Sequence, residues 1–268
     1  MIYEGIEGVP KFNCIEFSPK RNKYCLCIPI INEGERIIKE LRRAKKFQIN
    51  ELVDIIICDG DSSDGCTEET SLINLGVNTL LIKKDVGKQG AQLRMGMWWA
   101  LQRGYEGIIT IDGNNKDSIE DVTKFVNKLD EGFDFIQGSR FVNGGKAENT
   151  PLIRLVSVRL IHAPIISITA GKRFTDTTNA YRAYSKTYIE HDAVRPFRDI
   201  FMTYELLAYL SVRASQLGMK TCEIPVTRSY PKNEKTPTKI SPLKGNWLLF
   251  SILIKNALGK YNINEVNS

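Results

Sequence analysis

The chain has 268 residues, of which 42% are hydrophobic and 25% are charged, and its formal net charge at pH 7 is +6. These values are typical of a globular protein with one large domain or two small ones, and they exclude a disordered or fibrous chain. The positive charge is compatible with a phosphate-rich ligand or an anionic membrane surface, and nothing in the composition indicates nucleic acid as a partner.

The six cysteines show no spacing typical of a zinc site, so we expect reduced thiols. The first residues lack the basic and apolar regions of a signal peptide. No run reaches the ~18 uninterrupted apolar residues of a membrane span. We therefore expect a cytoplasmic protein, with the inner face of the membrane as the alternative location.

Apolar strands alternate with amphipathic helices through the first half of the chain. After an irregular segment at 1–22, we predict strands at 24–28, 52–58, 77–83, 108–111 and 133–139, and helices at 32–47, 66–75, 90–103 and 119–130. The strands are apolar throughout instead of alternating, which is typical of a parallel sheet covered on both faces. The predicted fold class is therefore α/β with a mostly parallel sheet.

Polar residues follow three of these strands. Parallel strands share a direction, so their carboxyl ends lie on one rim of the sheet, where open α/β sheets bind ligands. Carboxylates gathered on one rim repel each other unless a cation or a donor-rich ligand lies between them. The residues of this predicted rim are Pro29, Asn32, Glu33, Asp59, Asp61, Asp112, Gly113 and Asn114.

The tripeptide Asp112-Gly113-Asn114 ends the fourth strand. Asp, Gly and Asn are ordinary turn residues, so the tripeptide alone predicts only a capped strand end. The oxygens of Asp112 and Asn114 are also the hard ligands that Mg²⁺ or Mn²⁺ prefers, with bound phosphates supplying the rest. The shared rim favours the second interpretation.

The regular alternation of apolar strands and amphipathic helices ends after Phe141. The stretch 152–169 is apolar but carries Arg154 and Arg159, and Pro164 predicts a break in its helix. We predict a polar motif at 176–182, a helix at 203–217, a strand at 221–227 and an apolar helix at 247–258, too short to span a membrane. The stretches 152–169 and 247–258 either lie at a membrane interface or pack on the protein's own core.

The motifs Pro29-x-x-Asn32-Glu33, Asp59-x-Asp61-x-x-Asp64-Gly65 and Asp112-x-Asn114, with a Gly-Lys loop at Lys88, resemble glycosyltransferase family 2 in order and spacing. The second half, with Gly138-Ser-Arg-Phe141, Asp176 to Arg182, Tyr204-Glu205 and Arg228, is similar to the polyprenyl-phosphate (dolichol-phosphate mannose type) sugar transferases. The resemblance covers about residues 24–244.

This resemblance implies a GT-A fold, a nucleotide-sugar donor linked to UDP or GDP, and inversion at the anomeric carbon. It implies a polyprenyl-phosphate acceptor, or a lipid-linked or cell-surface glycan. The donor would contact Pro29, Asn32, Glu33, Asp59, Asp61, Lys88, Asp112 and Gly113, and Mg²⁺ or Mn²⁺ would be held by Asp112 and Asn114. The predicted catalytic residues are Arg182, Arg228 and Lys239, which would neutralise charge, and Glu205, the base that a hydroxyl acceptor needs.

Two departures from the family pattern concern the site. Gly60 stands where the family has a second acid after Asp59, which concerns the nucleobase. Asn114 stands where the family has a second Asp, so metal affinity should be weaker. Alternative functions are a sugar nucleotidyltransferase and a non-catalytic nucleotide-sugar-binding protein, and self-association is left open.

The predicted organisation has three parts. An irregular N-terminal segment spans 1–22. A single GT-A domain spans 23–245, with a nucleotide-sugar half at 23–141 and an acceptor half at 142–245. A C-terminal helix and tail span 246–268.

Overall fold

The computed structural model describes residues 1–231 and 244–263. Within these residues, nine strands form one mixed sheet in the order β1-β2-β5-β4-β3-β6-β9-β7-β10, and β11 pairs with β8 in a small second sheet. The strands are β1 Ile2–Tyr3, β2 Phe12–Glu16, β3 Tyr24–Ile30, β4 Asp54–Asp59, β5 Val77–Lys83, β6 Gly107–Thr110, β7 Phe135–Ser139, β8 Lys146–Glu148, β9 Arg182–Ser185, β10 Thr221–Pro225 and β11 Thr227–Ser229.

Helices cover both faces of the large sheet. They are α1 Glu35–Lys46, α2 Ile49–Leu52, α3 Glu69–Asn74, α4 Gln89–Gln102, α5 Val122–Asp130, α6 Leu152–Ser157, α7 Ala163–Ala170, α8 Lys186–Ile189, α9 Glu205–Gln216 and α10 Lys244–Ala257. Strands β5, β4, β3 and β6 are parallel neighbours, and all six residues of β4 are buried. The predicted α/β class with a mostly parallel sheet is confirmed.

Helix α4 crosses the centre of one face, and most of its side chains are buried. It approaches the sheet closely at Gly96, where an added Cβ would lie 2.4 Å from Cys58 Sγ. Glycine at this position therefore lets the helix axis come close to β4. This packing fixes the start of α4, and with it Gln89, above the carboxyl ends of the strands.

The prediction that residues 1–22 are irregular is wrong for two stretches. Strand β2 pairs antiparallel with β5, and β1 pairs with β2. Phe12 and Cys14 point into the core while the residues between them are more exposed. This alternation is too short to stand out in the sequence, and the open edge of β5 supplies the backbone partners that stabilise it.

Two further strand predictions need correction. Strand β9 was not predicted, because its four residues follow directly on a polar motif; it lies antiparallel between β6 and β7. The predicted strand at 221–227 is two strands, β10 in the large sheet and β11 against β8. The chain leaves the large sheet after Pro225, where proline ends the pairing.

The predicted break at Pro164 is absent. Helices α6 and α7 are joined by a π-helical turn, Val158–His162, into one helix that ends at Gly171 in the left-handed conformation. Proline lacks an N–H and crowds the preceding turn, and the wider π-turn gives its ring room. We call this whole element, Leu152–Ala170, the long helix.

The long helix is mostly exposed. By length and composition it could cross a membrane, with a mean hydropathy of 1.6 over its most apolar window, of which 17% is buried. Five of its exposed apolar side chains recur every four residues, at Leu152, Val156, Leu160, Pro164 and Ile168, which we call the apolar stripe, and Ile153 and Ile161 are exposed beside it. A four-residue spacing drifts around a 3.6-residue helix, and the extra residue of the π-turn reduces that drift.

Candidate active site

The three polar strand ends predicted from the sequence lie side by side, because β4, β3 and β6 are adjacent and parallel. Asp59 is only 1% exposed, and its carboxylate accepts hydrogen bonds from the backbone N–H groups of Asp61 and Ser62, at 3.1 and 2.9 Å. Burial raises the pKa of Asp59 above its ordinary value, although these hydrogen bonds oppose the shift. Asp59 therefore shapes the turn that presents Asp61.

The same turn is joined to the end of β3. Asn32 Oδ1 accepts from Ser63 N at 2.8 Å, and Asn32 N donates to Ser62 Oγ at 2.9 Å. Asp61 pairs with Lys84 at 2.6 Å. These contacts build a polar ledge above β3 and β4, made of the rim residues predicted to face a nucleoside.

Other predicted donor residues lie around this ledge. Glu33 accepts from Arg36 at 2.8 Å, Pro29 lies within β3, and the Lys88 side chain is exposed at the start of α4. Gly113 is packed so tightly that a Cβ would lie 2.4 Å from Ile30 Cγ2. A glycine is therefore required directly after Asp112.

Asp112 stands at the end of β6 and is 22% exposed in its side chain. Its Oδ1 accepts from Gln89 Nε2 at 2.9 Å, and its Oδ2 accepts from Arg228 Nη2 at 3.1 Å. The Asn114 amide lies 3.5 Å from the same carboxylate. Helix α4, strand β6 and strand β11 thus meet at one carboxylate.

The loop after Asp112 is held from both sides. Buried Glu40 of α1 accepts from Asn115 N at 2.8 Å, and Arg43 donates to Asn115 Oδ1 at 2.9 Å. On the other side, Ser229 N donates to Lys116 O at 2.8 Å and Ser118 N donates to Thr227 O at 3.0 Å. This pairing with β11 positions Arg228 against the loop.

Arg228 bridges two carboxylates. It donates to Asp112 and, through Nη1, to Asp117, which is fully buried. Burial alone would lower the pKa of Arg228, but the carboxylates of Asp117 and Asp112 outweigh it and raise that pKa. Burial raises the pKa of Asp117 from 3.8 to about 6, against the opposing charge of Arg228. Sequence reasoning named Arg228 but missed Asp117, which is spaced five residues after Asp112.

A cavity of about 210 Å³ opens beside Asp112, between the long helix and α10. We call it the acceptor pocket. Its inner end carries the polar side chains of Gln89, Asp112, Arg140, Arg154, Arg228 and Tyr230, and its other wall includes the apolar side chains of Val158, Ile166, Leu249, Ile252 and Leu253. The pocket is therefore cationic at one end and apolar along its length.

The tyrosine and arginines of the pocket interact with one another. Arg154 Nη1 donates to Tyr230 Oη at 3.2 Å, and Arg228 lies 5.8 Å from the Tyr230 ring centroid. Burial would raise the pKa of Tyr230, but Arg228 and Arg154 outweigh it and lower that pKa. Buried Arg140 pairs with Asp176 through two hydrogen bonds of 2.6 and 2.9 Å. Sequence reasoning missed the roles of Arg140, Arg154 and Tyr230, because each is a single residue in a separate segment.

Two predicted catalytic residues have structural contacts. Arg182 donates to the backbone carbonyls of Asn179, Leu207 and Thr177, at 2.9, 2.6 and 2.9 Å. The Glu205 carboxylate accepts from Thr203 N at 2.6 Å and Thr203 Oγ1 at 2.7 Å at the start of α9. Arg182 also lines the acceptor pocket, and the catalytic roles predicted for Arg182 and Glu205 stay predictions. Lys239, the remaining candidate, lies outside the described residues.

The donor set around Asp112 fits a divalent cation that takes most of its ligands from phosphates. Among residues 1–231 and 244–263, no three His, Cys, Asp or Glu side chains converge as a complete metal site. The Asp112 carboxylate matches the way Mg²⁺ is held by one or two carboxylates together with substrate phosphates. The Asn114 amide presents its nitrogen to Asp112, and its oxygen accepts from Lys116 N at 3.3 Å. Metal binding at this position would therefore depend on the bound diphosphate.

Comparisons with known proteins agree with this geometry. A family model described as glycosyl transferase family 2 matches residues 25–196. The chain is 25% identical over 242 residues to glycosyltransferase AglJ of Haloferax volcanii, covering 89% of this chain and 73% of that protein. It is 26% identical over 203 residues to polyprenol monophosphomannose synthase of Mycolicibacterium smegmatis, covering 75% of each.

A third relative is undecaprenyl-phosphate mannosyltransferase of Micrococcus luteus, 28% identical over 207 residues, with 75% of this chain and 81% of that protein covered. Among solved structures, the fold is similar to glucosyl-3-phosphoglycerate synthase from Mycobacterium tuberculosis in complex with Mn²⁺, uridine diphosphate and phosphoglyceric acid. That match has a TM-score of 0.60 at 14% identity and covers 88% of this chain and 77% of that one.

Proposed function

The chain belongs to glycosyl transferase family 2, and from that premise we propose that this glycosyltransferase moves a sugar from a nucleoside diphosphate donor to the phosphate of a polyprenyl lipid. The observation that carries the proposal is the acceptor pocket, which joins Asp112 at its polar end to an apolar passage between the long helix and α10. A lipid phosphate needs both features: arginines for its charge and an apolar wall for its chain. The names of the two phosphopolyprenol relatives support the same acceptor class.

The donor would lie on the ledge above β3 and β4, with its diphosphate next to Asp112. Oxygens of Asp112 and Asn114 would hold Mg²⁺ or Mn²⁺, which supplies positive charge to the departing diphosphate. Arg228 would add a second positive charge to the same region. Uridine and guanosine diphosphate sugars both remain candidates, and the solved relative that contains uridine diphosphate makes the uridine series the first to test.

The transfer is a single displacement at the anomeric carbon. An oxygen of the acceptor phosphate forms the new bond to carbon, and the bond from carbon to the β-phosphate oxygen breaks. The electron pair leaves with the nucleoside diphosphate, so the configuration at the carbon inverts. A phosphate monoester is already anionic and needs no general base, which agrees with the hydrogen bonds that the Glu205 carboxylate accepts from Thr203 before α9.

Arg154 is the residue best placed to orient the acceptor phosphate, whereas Arg140 lines the same end of the pocket but is paired with Asp176. Both line the polar end of the pocket. Arg154 lies on the long helix, whose other face is the apolar stripe. A lipid entering from a membrane surface would therefore meet Arg154 before it reaches Asp112.

We also propose that the protein contacts the membrane peripherally, through the apolar stripe. Leu152, Leu160 and Ile168 are 73%, 71% and 82% exposed, and Trp247 on α10 is 73% exposed. A contiguous exposed apolar surface is typical of a membrane or protein contact. A membrane contact would hold the mouth of the pocket at the surface where a polyprenyl phosphate resides.

The decisive experiment incubates the protein with radiolabelled uridine and guanosine diphosphate sugars, Mn²⁺ and undecaprenyl phosphate. We expect label to enter the organic phase with one donor series and nucleoside diphosphate to be released in equal amount. Release without labelled lipid would contradict the acceptor, and release of pyrophosphate from a nucleoside triphosphate would favour a nucleotidyltransferase instead.

The matched variants are Asp112→Ala and Asp192→Ala. Loss of the Asp112 carboxylate should lower metal-dependent turnover by at least about a hundredfold, because electrostatic groups at the reacting centre carry effects of that size. Asp192 is exposed and does not line the pocket, so its variant should retain full turnover. Full activity of Asp112→Ala would overturn the proposed metal ligand.

A further inference from the structure

A second groove lies beside the long helix, separate from the acceptor pocket. Its volume is about 470 Å³, and it shares no lining residue with the acceptor pocket. Its walls include Phe141, Arg159, Pro164, Ile168, Arg173 and Phe174. The groove is therefore aromatic and apolar, with two arginines.

The two arginines give the groove a net positive charge. Arg159 and Arg173 are exposed, and neither forms a salt bridge among the residues that the structure describes. The guanidinium of Arg159 lies 4.8 Å from the Phe141 ring centroid. A guanidinium over a ring keeps its in-plane N–H donors available for a planar or tetrahedral anion.

Among the described residues that line the groove, none has an acidic side chain. The carboxylate behind its floor, Glu223, accepts from Thr175 N, Thr175 Oγ1 and Asp176 N, at 2.9 to 3.1 Å. Glu223 makes its hydrogen bonds with these neutral donors, and it forms no salt bridge with Arg159 or Arg173 among the residues that the structure describes. The groove thus presents two cations to whatever enters it.

The apolar stripe borders the groove directly. Pro164 and Ile168 belong to both, and Arg159 is followed along the helix by Leu160, which is 71% exposed. A ligand in the groove would therefore contact cations on one side and apolar side chains on the other. A free phosphate would use only the first feature, whereas an amphiphile uses both.

We propose that this groove binds the phosphate-bearing headgroup of an anionic phospholipid, with the acyl chains directed along the apolar stripe. The site differs from that of the acceptor lipid, and it would fix the rotation of the long helix on the membrane surface. The proposal rests on the membrane contact proposed above. It adds selectivity for headgroup charge, which the stripe alone does not supply.

The test is co-sedimentation with vesicles of phosphatidylcholine alone or with phosphatidylglycerol, at fixed ionic strength. The variant is Arg159→Gln/Arg173→Gln, and the matched control is Lys39→Gln/Lys46→Gln, which removes the same charge from exposed positions of α1. We expect the groove variant to lose roughly 30-fold in partitioning to phosphatidylglycerol vesicles, the scale for two basic residues at an anionic surface. Wild type should bind phosphatidylcholine vesicles more weakly than phosphatidylglycerol vesicles. The groove variant should match the wild type in binding to phosphatidylcholine and in melting temperature.

Three results would contradict the groove as a site. Equal losses in the groove variant and the α1 control would mean that only net charge attracts the vesicles. Equal binding of wild type to both vesicle types would mean that no headgroup is recognised, while the membrane contact stands. An absence of binding to either vesicle type would overturn the membrane contact itself, and with it the groove. Donor turnover, measured separately, distinguishes these outcomes from a failure of the glycosyltransferase proposal.

Discussion

Arg228 joins two carboxylates that lie five residues apart in one loop. Asp112 faces the acceptor pocket, whereas Asp117 is fully buried behind it. The buried carboxylate holds the guanidinium in place, so the second half of its hydrogen-bonding fork is directed at Asp112. A bound cation at Asp112 would compete with this contact and leave Arg228 free to meet a phosphate oxygen.

The buried carboxyl group of Asp117 should make the free energy of unfolding depend on pH. Its pKa is about 6 in the folded protein and ordinarily 3.8, so the folded state holds the proton more tightly. Its contribution to stability is therefore complete below about pH 4 and is lost as pH rises through 6. The unfolding free energy of wild type, minus that of Asp117→Asn, should fall between pH 4 and 6 in urea titrations. A difference that rises across this range would mean that the Arg228 ion pair governs the carboxyl instead.

The buried guanidinium group of Arg182 should contribute to the stability of the fold. Three backbone carbonyls accept from its guanidinium, and the side chain is 1% exposed. Arg182→Gln should destabilise the fold by about 3 kcal/mol, because buried acceptors lose their donors. Thermal unfolding would measure this loss, with exposed Arg42→Gln as the control. If Arg182→Gln leaves the melting temperature unchanged but strongly reduces kcat, the result would support the catalytic role predicted from the sequence.

Among the helices and strands, the long helix connects the acceptor pocket with the exposed apolar stripe. Its buried side chains, including Val158, Ala163 and Ile166, face the core, while Arg154 reaches the acceptor pocket. The π-turn lets the helix continue past Pro164 and reduces the drift of the five side chains of the apolar stripe around the helix. One continuous helix can therefore line the pocket and present an apolar surface at the same time.

Substitutions in the apolar stripe should weaken membrane binding without changing the stability of the fold. Leu152→Asn/Leu160→Asn removes two exposed leucines that line neither cavity. We expect at least about a tenfold loss of vesicle binding, since burying one such side chain contributes about 1.5–3 kcal/mol. Stability should stay within about 0.5 kcal/mol, as is usual for surface positions. The control, Phe47→Asn/Ile73→Asn, removes exposed apolar side chains elsewhere, and an equal loss there would contradict a specific membrane face.

At the scale of the whole molecule, the site forms where the two halves of the chain meet. The loop 112–117 follows a parallel strand of the first half, and Arg228 comes from β11, in the second half. Strand β9 lies between β6 and β7 and so places the second half of the chain within the sheet of the first. The polar ledge above β3 and β4 and the acceptor pocket therefore meet at Asp112.

Local patterns in the sequence were enough to predict the strands and helices from about residue 24 to about residue 139, but not β1 and β2 before them. Apolar runs of four to seven residues, separated by helical periods and ended by Asp, Gly or Asn, predict parallel strands and a common rim. Asp59, Asp61, Asp112 and Asn114 lie at strand ends because turn residues follow strands locally. The prediction of the fold rests on this order and the prediction of the glycosyltransferase family on the resemblance of the motifs, and both are confirmed.

Only the tertiary structure decided which polar side chains remain available for chemistry. Arg182 and Glu205 have the residue types that a transferase site needs, and the folded chain gives Arg182 three backbone carbonyls and Glu205 the N–H and hydroxyl of Thr203 as partners. Asp117 is a neighbour of Arg228 only because β11 pairs with the loop after β6, across more than a hundred residues. Sequence periodicity records what each segment buries, whereas the partner of a buried charge depends on contacts between distant segments, and those contacts exist only once the chain has folded.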